Sequence, residues 1–200
     1  MTKRKTFNMA LVFGLISSLM LSTITFSAHC QEMYDNIIRI RILANSDSKE
    51  DQDLKLLVRD EILNVSKEFF ANIDSYDDAV VSTRNNLDQL CYTAQKTVAN
   101  AGYDYGVSVE LREEYFDTRI YEDFTLPAGR YETAVFTIGD GGGQNWWCVI
   151  YPQVCVGACS GSLTDTLSDE SAKIAYNYDD YVIKFKTVEI YEKIRKYLTF

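Results

Sequence analysis

Ile38-Arg-Ile-Arg-Ile-Leu-Ala-Asn-Ser-Asp-Ser-Lys-Glu-Asp-Gln-Asp-Leu-Lys-Leu-Leu-Val-Arg-Asp60 changes its apolar period partway along, and that change decides the fold. Ile38, Ile40 and Ile42 alternate with Arg39 and Arg41, which predicts a half-buried strand with both arginines on its polar face. Asn45-Ser-Asp-Ser48 then stops the strand and opens a helix. Asp47 with Glu50, or Ser48 with Asp51, has capping-box spacing, and the acidic first turn suits the positive end of a helix. Beyond it Leu54, Leu57 or Val58, Ile62, Val65 and Phe69 recur at steps of three and four, so the helix buries one face through about Phe70.

Working outward, Asn72-Ile-Asp-Ser75 breaks the helix, and a second is expected over residues 76–100. Its stripe is Val80, Leu87, Cys91 beside Leu90, Ala94 and Val98, with Gly102 placed as its C-terminal cap. Two amphipathic helices in succession need a sheet to cover. Val107, Val109 and Leu111 alternate with Ser108, Glu110 and Arg112 as one strand of it, and residues 115–124 are expected to return as a hairpin partner. Leu126-Pro-Ala-Gly129 reads as a turn. Residues 131–138 form another strand, with Ala134, Phe136 and Ile138 on one side. Gly139–Gly143 reads as a flexible connection, and residues 146–151 as a strand buried on both faces. Residues 157–173 read as a surface loop. The tail carries Val188, Tyr191, Ile194 and Leu198 at helical spacing and is expected to be a packed helix. The class is α+β: an N-terminal hydrophobic helix, a strand, two amphipathic helices, a mainly antiparallel sheet and a C-terminal helix.

Upstream, Lys3-Arg-Lys5 precedes a largely apolar stretch over residues 7–26, the layout of an export signal. Small residues allow cleavage after Ser27 or after Cys30, while about 20 apolar residues also suffice to span a bilayer. Residues 1–30 are therefore a signal peptide or a membrane anchor, and residues 31–200 a single extracytoplasmic domain. Basic residues in front keep that end inside and place the remainder outside. The 200-residue chain is 46% hydrophobic and carries a net charge of −9. Three of its basic residues lie before the leader, so the exported part is more acidic still, which argues against nucleic acid and anionic headgroups as partners of that part. The membrane is then touched only through the N-terminal segment, if that segment is left uncleaved. Cysteines outside the cytoplasm can oxidise. Cys148 and Cys155 flank Tyr151-Pro152 and are a candidate disulfide, Cys155 with Cys159 competes, and all of them can equally be small buried residues.

Catalytic candidates are few. His29 is the only histidine and lies in the leader, so a mature chain lacking it has no imidazole to activate a cysteine. Glu113/Glu114 and Asp179/Asp180 read as solvated faces more readily than as acid–base pairs. Asp140-Gly-Gly-Gly143 lacks the Lys-Ser/Thr of a phosphate loop, and Asp47, Asp51 and Asp53 lack the spacing of a calcium loop. No catalytic residue, metal ligand or cofactor is assigned. What remains is a recognition surface. Trp146, Trp147 and Tyr151 lie close to one another in sequence, Arg39 and Arg41 share a strand, and aromatic and Arg side chains are the usual anchors of protein interfaces. Trp146 and Trp147 must point to opposite faces of a strand, so either one is core and the other an anchor, or both are core.

Two blocks carry a resemblance. One is Leu126-Pro-Ala-Gly-Arg-Tyr131 followed by Gly139-Asp-Gly-Gly-Gly-Gln-Asn-Trp-Trp-Cys-Val-Ile-Tyr-Pro152; the other is the stretch from Ile38 to Asp60. Together they resemble the stage II sporulation protein R family across about residues 37–152. The family has Pro-Pro-Leu-Cys where this chain has Tyr151-Pro-Gln-Val-Cys155, and residues 157–173 match it weakly. The resemblance implies a protein made in the forespore and exported to the space between the two membranes around it. There it would activate a membrane-embedded aspartic protease, stage II sporulation protein GA, which processes the precursor of sigma factor E. A secreted cell-wall hydrolase and a septal structural protein are the alternatives.

Overall fold

The computed structural model describes residues 3–71, 73, 75–154 and 162–198. In chain order the elements are α1 (Lys3–Tyr34), β1 (Ile38–Leu43), α2 (Lys49–Phe70), α3 (Tyr76–Asn85), α4 (Leu87–Asn100), β2 (Val107–Phe116), β3 (Arg119–Ile120), β4 (Thr125–Leu126), β5 (Gly129–Ile138), β6 (Asn145–Tyr151), a 3-10 turn (Leu163–Asp165), α5 (Asp169–Tyr176) and α6 (Tyr178–Leu198). The architecture is α+β, as the change of period predicts. The chain groups into two compact units. One comprises Tyr34–Phe116 with Arg130–Asp169, the other Met1–Met33 with Asp117–Gly129 and Glu170–Phe200.

The first unit is built on a four-stranded sheet of order β2-β5-β1-β6. The isoleucine-rich strand β1 sits inside it, parallel to β5 and antiparallel to β6. Ile38, Ile40 and Ile42 are fully buried, because helices α2 and α4 must hide their own stripes against an apolar face. Leu54, Val58, Ile62 and Phe70 supply that stripe on α2, and Leu90, Ala94 and Val98 supply it on α4. Ser48 caps α2 by accepting the Asp51 N–H at 3.2 Å. The second predicted helix is split in two. Asn86 donates its side-chain amide to the Ser82 carbonyl at 2.8 Å, closing α3 before α4 begins, the competition with the backbone that makes Asn a poor helix-interior residue. Past α4, Gly102 adopts φ +87° and, with Tyr103, returns N–H groups to Ala99 and Val98 as a Schellman motif. Gln95 then brackets the entry to β2, donating to the Tyr105 carbonyl and accepting the Val107 N–H, each at 2.8 Å.

Three further expectations change. Residues 115–124 do not return as a hairpin on β2: that strand runs on to Phe116, and β3 instead pairs with β4 around a tight turn in which Tyr121 N–H meets the Phe124 carbonyl. Residues 162–173 are not a surface loop, since Leu163, Leu167 and Ala172 are buried within a 3-10 turn and the start of α5; the preceding residues 155–161, with Cys155 and Cys159, lie outside the described residues. Gly139–Gly143 is not flexible. Gly142 and Gly143 donate N–H groups to the Asn45 and Ala44 carbonyls at 3.1 and 2.9 Å. The Asn45 side chain accepts the Asp140 N–H at 3.0 Å, and Asp47 accepts the Gln144 N–H at 2.7 Å. A Cβ on Gly143 would lie 2.2 Å from the Ser46 carbonyl oxygen. Glycine is needed there for close approach of two backbones.

The second unit holds α1, the β3–β4 hairpin, α5 and α6. α1 is a single helix whose apolar front half is exposed (Phe13 65%, Leu21 64%) while Phe26, Cys30 and Met33 near its end are buried. Phe26 meets the Phe185 ring edge-on at 5.3 Å and stacks on Tyr181 at 6.1 Å. The tail helix α6 packs through Phe185, Val188 and Glu192. The expected stripe therefore fails beyond Val188: Tyr191, Ile194 and Leu198 are exposed, because the inward face follows residues 181, 185, 188 and 192 instead.

Candidate functional site

Because neighbouring strand residues face opposite ways, β1 and β6 share out their side chains by register. Trp146 stands opposite Ile42 and Trp147 opposite Arg41. Trp146 thus belongs to the helix-covered face, where the Arg59 guanidinium lies 5.2 Å from its ring. Trp147 belongs to the other face, beside Arg41. Both indoles are half-buried, so neither is wholly core. β6 is an edge strand buried on both faces only from Cys148 to Tyr151.

Arg39 and Arg41 lie on the same face two residues apart, yet their surroundings differ. Arg39 is not on a solvated polar face. It is fully buried, its guanidinium carbon 3.8 Å from the centroid of Phe116 and 4.9 Å from that of Tyr131, an arrangement in which ring faces replace part of the lost hydration of the cation. Tyr151 is also core, 5% exposed with its ring 5.6 Å from Phe70. Arg41 remains partly open and pairs with Glu114 of β2. Glu114 in turn accepts from Arg112 at 2.7 and 2.9 Å, and Arg112 reaches Glu110 at 2.5 Å. An ion ladder thus runs Glu110–Arg112–Glu114–Arg41 over one sheet face with Trp147 at the far end. Burial alone would raise the Glu114 pKa, but bonds from Arg112 and Arg41 outweigh it and hold the carboxyl below its ordinary value.

Sequence reasoning singled out Arg41 and Trp147 without Glu114, which the structure pairs with Arg41. The signal was the 110/112/114 alternation of charge on one strand. Reading Glu113 and Glu114 together as a solvated face obscured it, since neighbouring strand residues face opposite ways and Glu113 lies 3.9 Å from Arg130. The other acidic candidates have structural work. Asp51 is buried and accepts from Ser46 at 2.5 Å and Asn45 at 2.9 Å. Its carboxyl is held below the usual range first by the Ser46 hydroxyl, against burial, with help from Asn45, Tyr105 and Ser48. Asp53 pairs with Lys49 at 2.9 Å, and Asp179 and Asp180 occupy the first turn of α6.

Cys148 and His29 bear on nucleophile chemistry among the described residues. Cys148 is held in a disulfide, so it offers no thiolate. His29 places Nδ1 2.9 Å from the Ser171 hydroxyl, which lies 2.5 Å from Glu32 as its donor. Ser171 is fully buried and sits between the other two. In a hydrolytic triad the histidine sits between, so this is a polar clasp tying α1 to α5.

The sequence profile of the stage II sporulation protein R family matches residues 34–160. The chain belongs to that family. Stage II sporulation protein R of Bacillus subtilis (strain 168) is 38% identical over 121 residues, which is 60% of this chain and 54% of the relative. The chain thus spans about half the length of the relative it matches. No solved structure matches it. The sporulation protein R profile covers β1 to β6 and α2 to α4, including the ion ladder and the locked glycine run. It leaves α5, α6 and all of α1 except Tyr34 outside. Membership places the protein among sporulation proteins, and the long apolar α1 is compatible with a signal peptide or a membrane anchor.

Proposed function

We propose that this protein is a non-catalytic signalling ligand of endospore formation, exported from the forespore, that activates the membrane-embedded aspartic protease stage II sporulation protein GA and so the processing of the sigma factor E precursor. The single observation carrying this reading is the face on which Arg41, Glu114 and Arg112 form a ladder beside the half-buried Trp147. A partner bringing complementary charge and a pocket for an indole would find both on one rigid sheet. Such a ligand activates only if it binds the active state of the protease better than the inactive one. Anchoring by α1 accompanies this reading. Cleavage after Ser27 would strip Phe26 from its contacts with Phe185 and Tyr181, whereas retention keeps that packing.

Sporulating cells carrying Trp147→Ala or Arg41→Ala provide the test, with processed sigma factor E and the exported protein followed by immunoblot. For a buried aromatic anchor a loss of about 2 kcal/mol, or roughly thirtyfold in affinity, is the expected scale. Processing falls while exported protein stays at the parental level. Unchanged processing in both variants removes this face from the mechanism. Glycan release by the purified protein would replace signalling with cell-wall hydrolysis.

A further inference from the structure

The second unit holds a cavity of about 320 Å³ whose two walls repeat one chemistry. One wall is the β3–β4 turn, with Tyr121, Glu122, Asp123 and Phe124. The other is the α5–α6 junction, with Tyr176, Tyr178, Asp179 and Asp180. Each wall thus brings two aromatic rings and two carboxylates. Tyr121 stacks on Phe124 with ring centroids 4.6 Å apart, and Tyr178 leans on Phe185 at 5.1 Å. These ring contacts order the walls without a ligand.

Charge names the occupant. Glu122, Asp123, Asp179 and Asp180 are exposed, and no basic side chain lines the cavity with them. None of the four forms an ion pair among the described residues, whereas Glu114 and Glu189 are each held by two cations. Asp179 and Asp180 occupy the first turn of α6, but a helix end offsets only about half a charge. Negative charge is therefore left over between rings whose faces also attract cations. A second feature points into the same space. Thr125 is 1% exposed, lines this cavity, and its hydroxyl has no hydrogen-bond partner among the described residues. A buried hydroxyl without a partner is costly, and the cavity is the side from which a ligand supplies one.

Guanidinium answers this set better than an ammonium does. It is planar, so it stacks on a ring while its edge meets carboxylates in pairs, and it is more weakly hydrated. Its five N–H groups exceed what one carboxylate accepts, which leaves a donor for the Thr125 hydroxyl. The volume lies at the low end for small-molecule sites and suits one long side chain.

We propose that this cavity receives an arginine side chain of a partner protein. The guanidinium sits between the rings of the two walls, and the four carboxylates and the Thr125 hydroxyl share its N–H groups. This site is independent of the sheet face in the proposed function, which uses residues of the first unit alone.

The test titrates the full chain, isotopically labelled and held in detergent micelles, with the peptide acetyl-Gly-Arg-Gly-amide. Saturable shifts of backbone amide signals are expected at residues 120–125 and 175–180. Citrulline in place of the arginine keeps its shape and removes its charge, and is expected to weaken binding at least about tenfold. Lysine in that position is expected to weaken it at least about threefold. Asp179→Asn combined with Asp180→Asn is expected to cost the arginine peptide at least about fivefold, and Thr125→Val about threefold. Glu110→Gln, in the first unit, leaves affinity within about twofold. Equal affinity for the citrulline peptide would overturn the proposal, and that comparison uses the unaltered protein, so no variant has to fold. Shifts confined to other residues, or no shifts, would also overturn it. Equal binding of the lysine peptide would overturn the assignment to arginine. Loss of sigma factor processing is not read here, so this inference and the proposed function fail independently.

Discussion

The two ends of one sheet face treat the same residue type in opposite ways. At one end Arg39 is sealed between Phe116 and Tyr131, with Tyr34 packed edge-on against Tyr131 at 5.0 Å. At the other, Arg41 shares Glu114 with Arg112, and Trp147 stays half-open beside it. The closed end contributes stability through packed volume and ring contact. The open end holds its charges by pairing them in partial contact with water, where each pair is worth little. Binding surfaces are drawn from the second kind, since removing their side chains leaves the fold standing.

That contrast can be broken most directly at the closed end. Arg39→Ala opens a void between two rings and is expected to lower unfolding stability by about 3 kcal/mol, read by chemical denaturation. A loss under about 1 kcal/mol would mean that the sealed arginine is not part of the core's strength. Next in size is the junction that closes the open end. Gly143→Ala drives a methyl into the Ser46 carbonyl and is expected to cost about 2 kcal/mol, whereas Gly106→Ala, where a Cβ meets nothing within 4 Å, should lie within about 0.5 kcal/mol of the parent. The smallest effects belong to the ladder. Arg41→Ala is expected to change stability by less than about 1 kcal/mol, and a larger loss would erase the distinction between the two ends.

Acid titration sharpens the same comparison. Glu114 and Asp51 both have folded-state pKa values below their ordinary ones. As pH falls, the unfolded chain takes up these protons first. Their contribution is therefore complete above the ordinary carboxylate range and disappears as pH drops through the depressed folded values. Glu114→Gln is expected to flatten part of this acid limb. An unchanged slope in Glu114→Gln would show that the ladder does not hold that proton off.

Much of this was legible along the chain. The switch of period after Ile42, the Ser48 cap and the Gly102 terminator all act over a few residues, and local physics settles them. The break at Asn86 was legible in kind, from a residue that bonds its own backbone, but it was hidden under a stripe that continues through it. The paired strands β3 and β4 were not legible, because two-residue strands leave no period to read.

Alternation alone determined that Arg39 and Arg41 share a face and that Trp146 and Trp147 do not, since a pleated strand admits no other arrangement. Which arginine is sealed, which tryptophan stands beside the ladder, and which side of α6 is left bare were decided only when distant segments met. Burial belongs to the pair of surfaces in contact, and one strand or helix carries the pattern of just one of them.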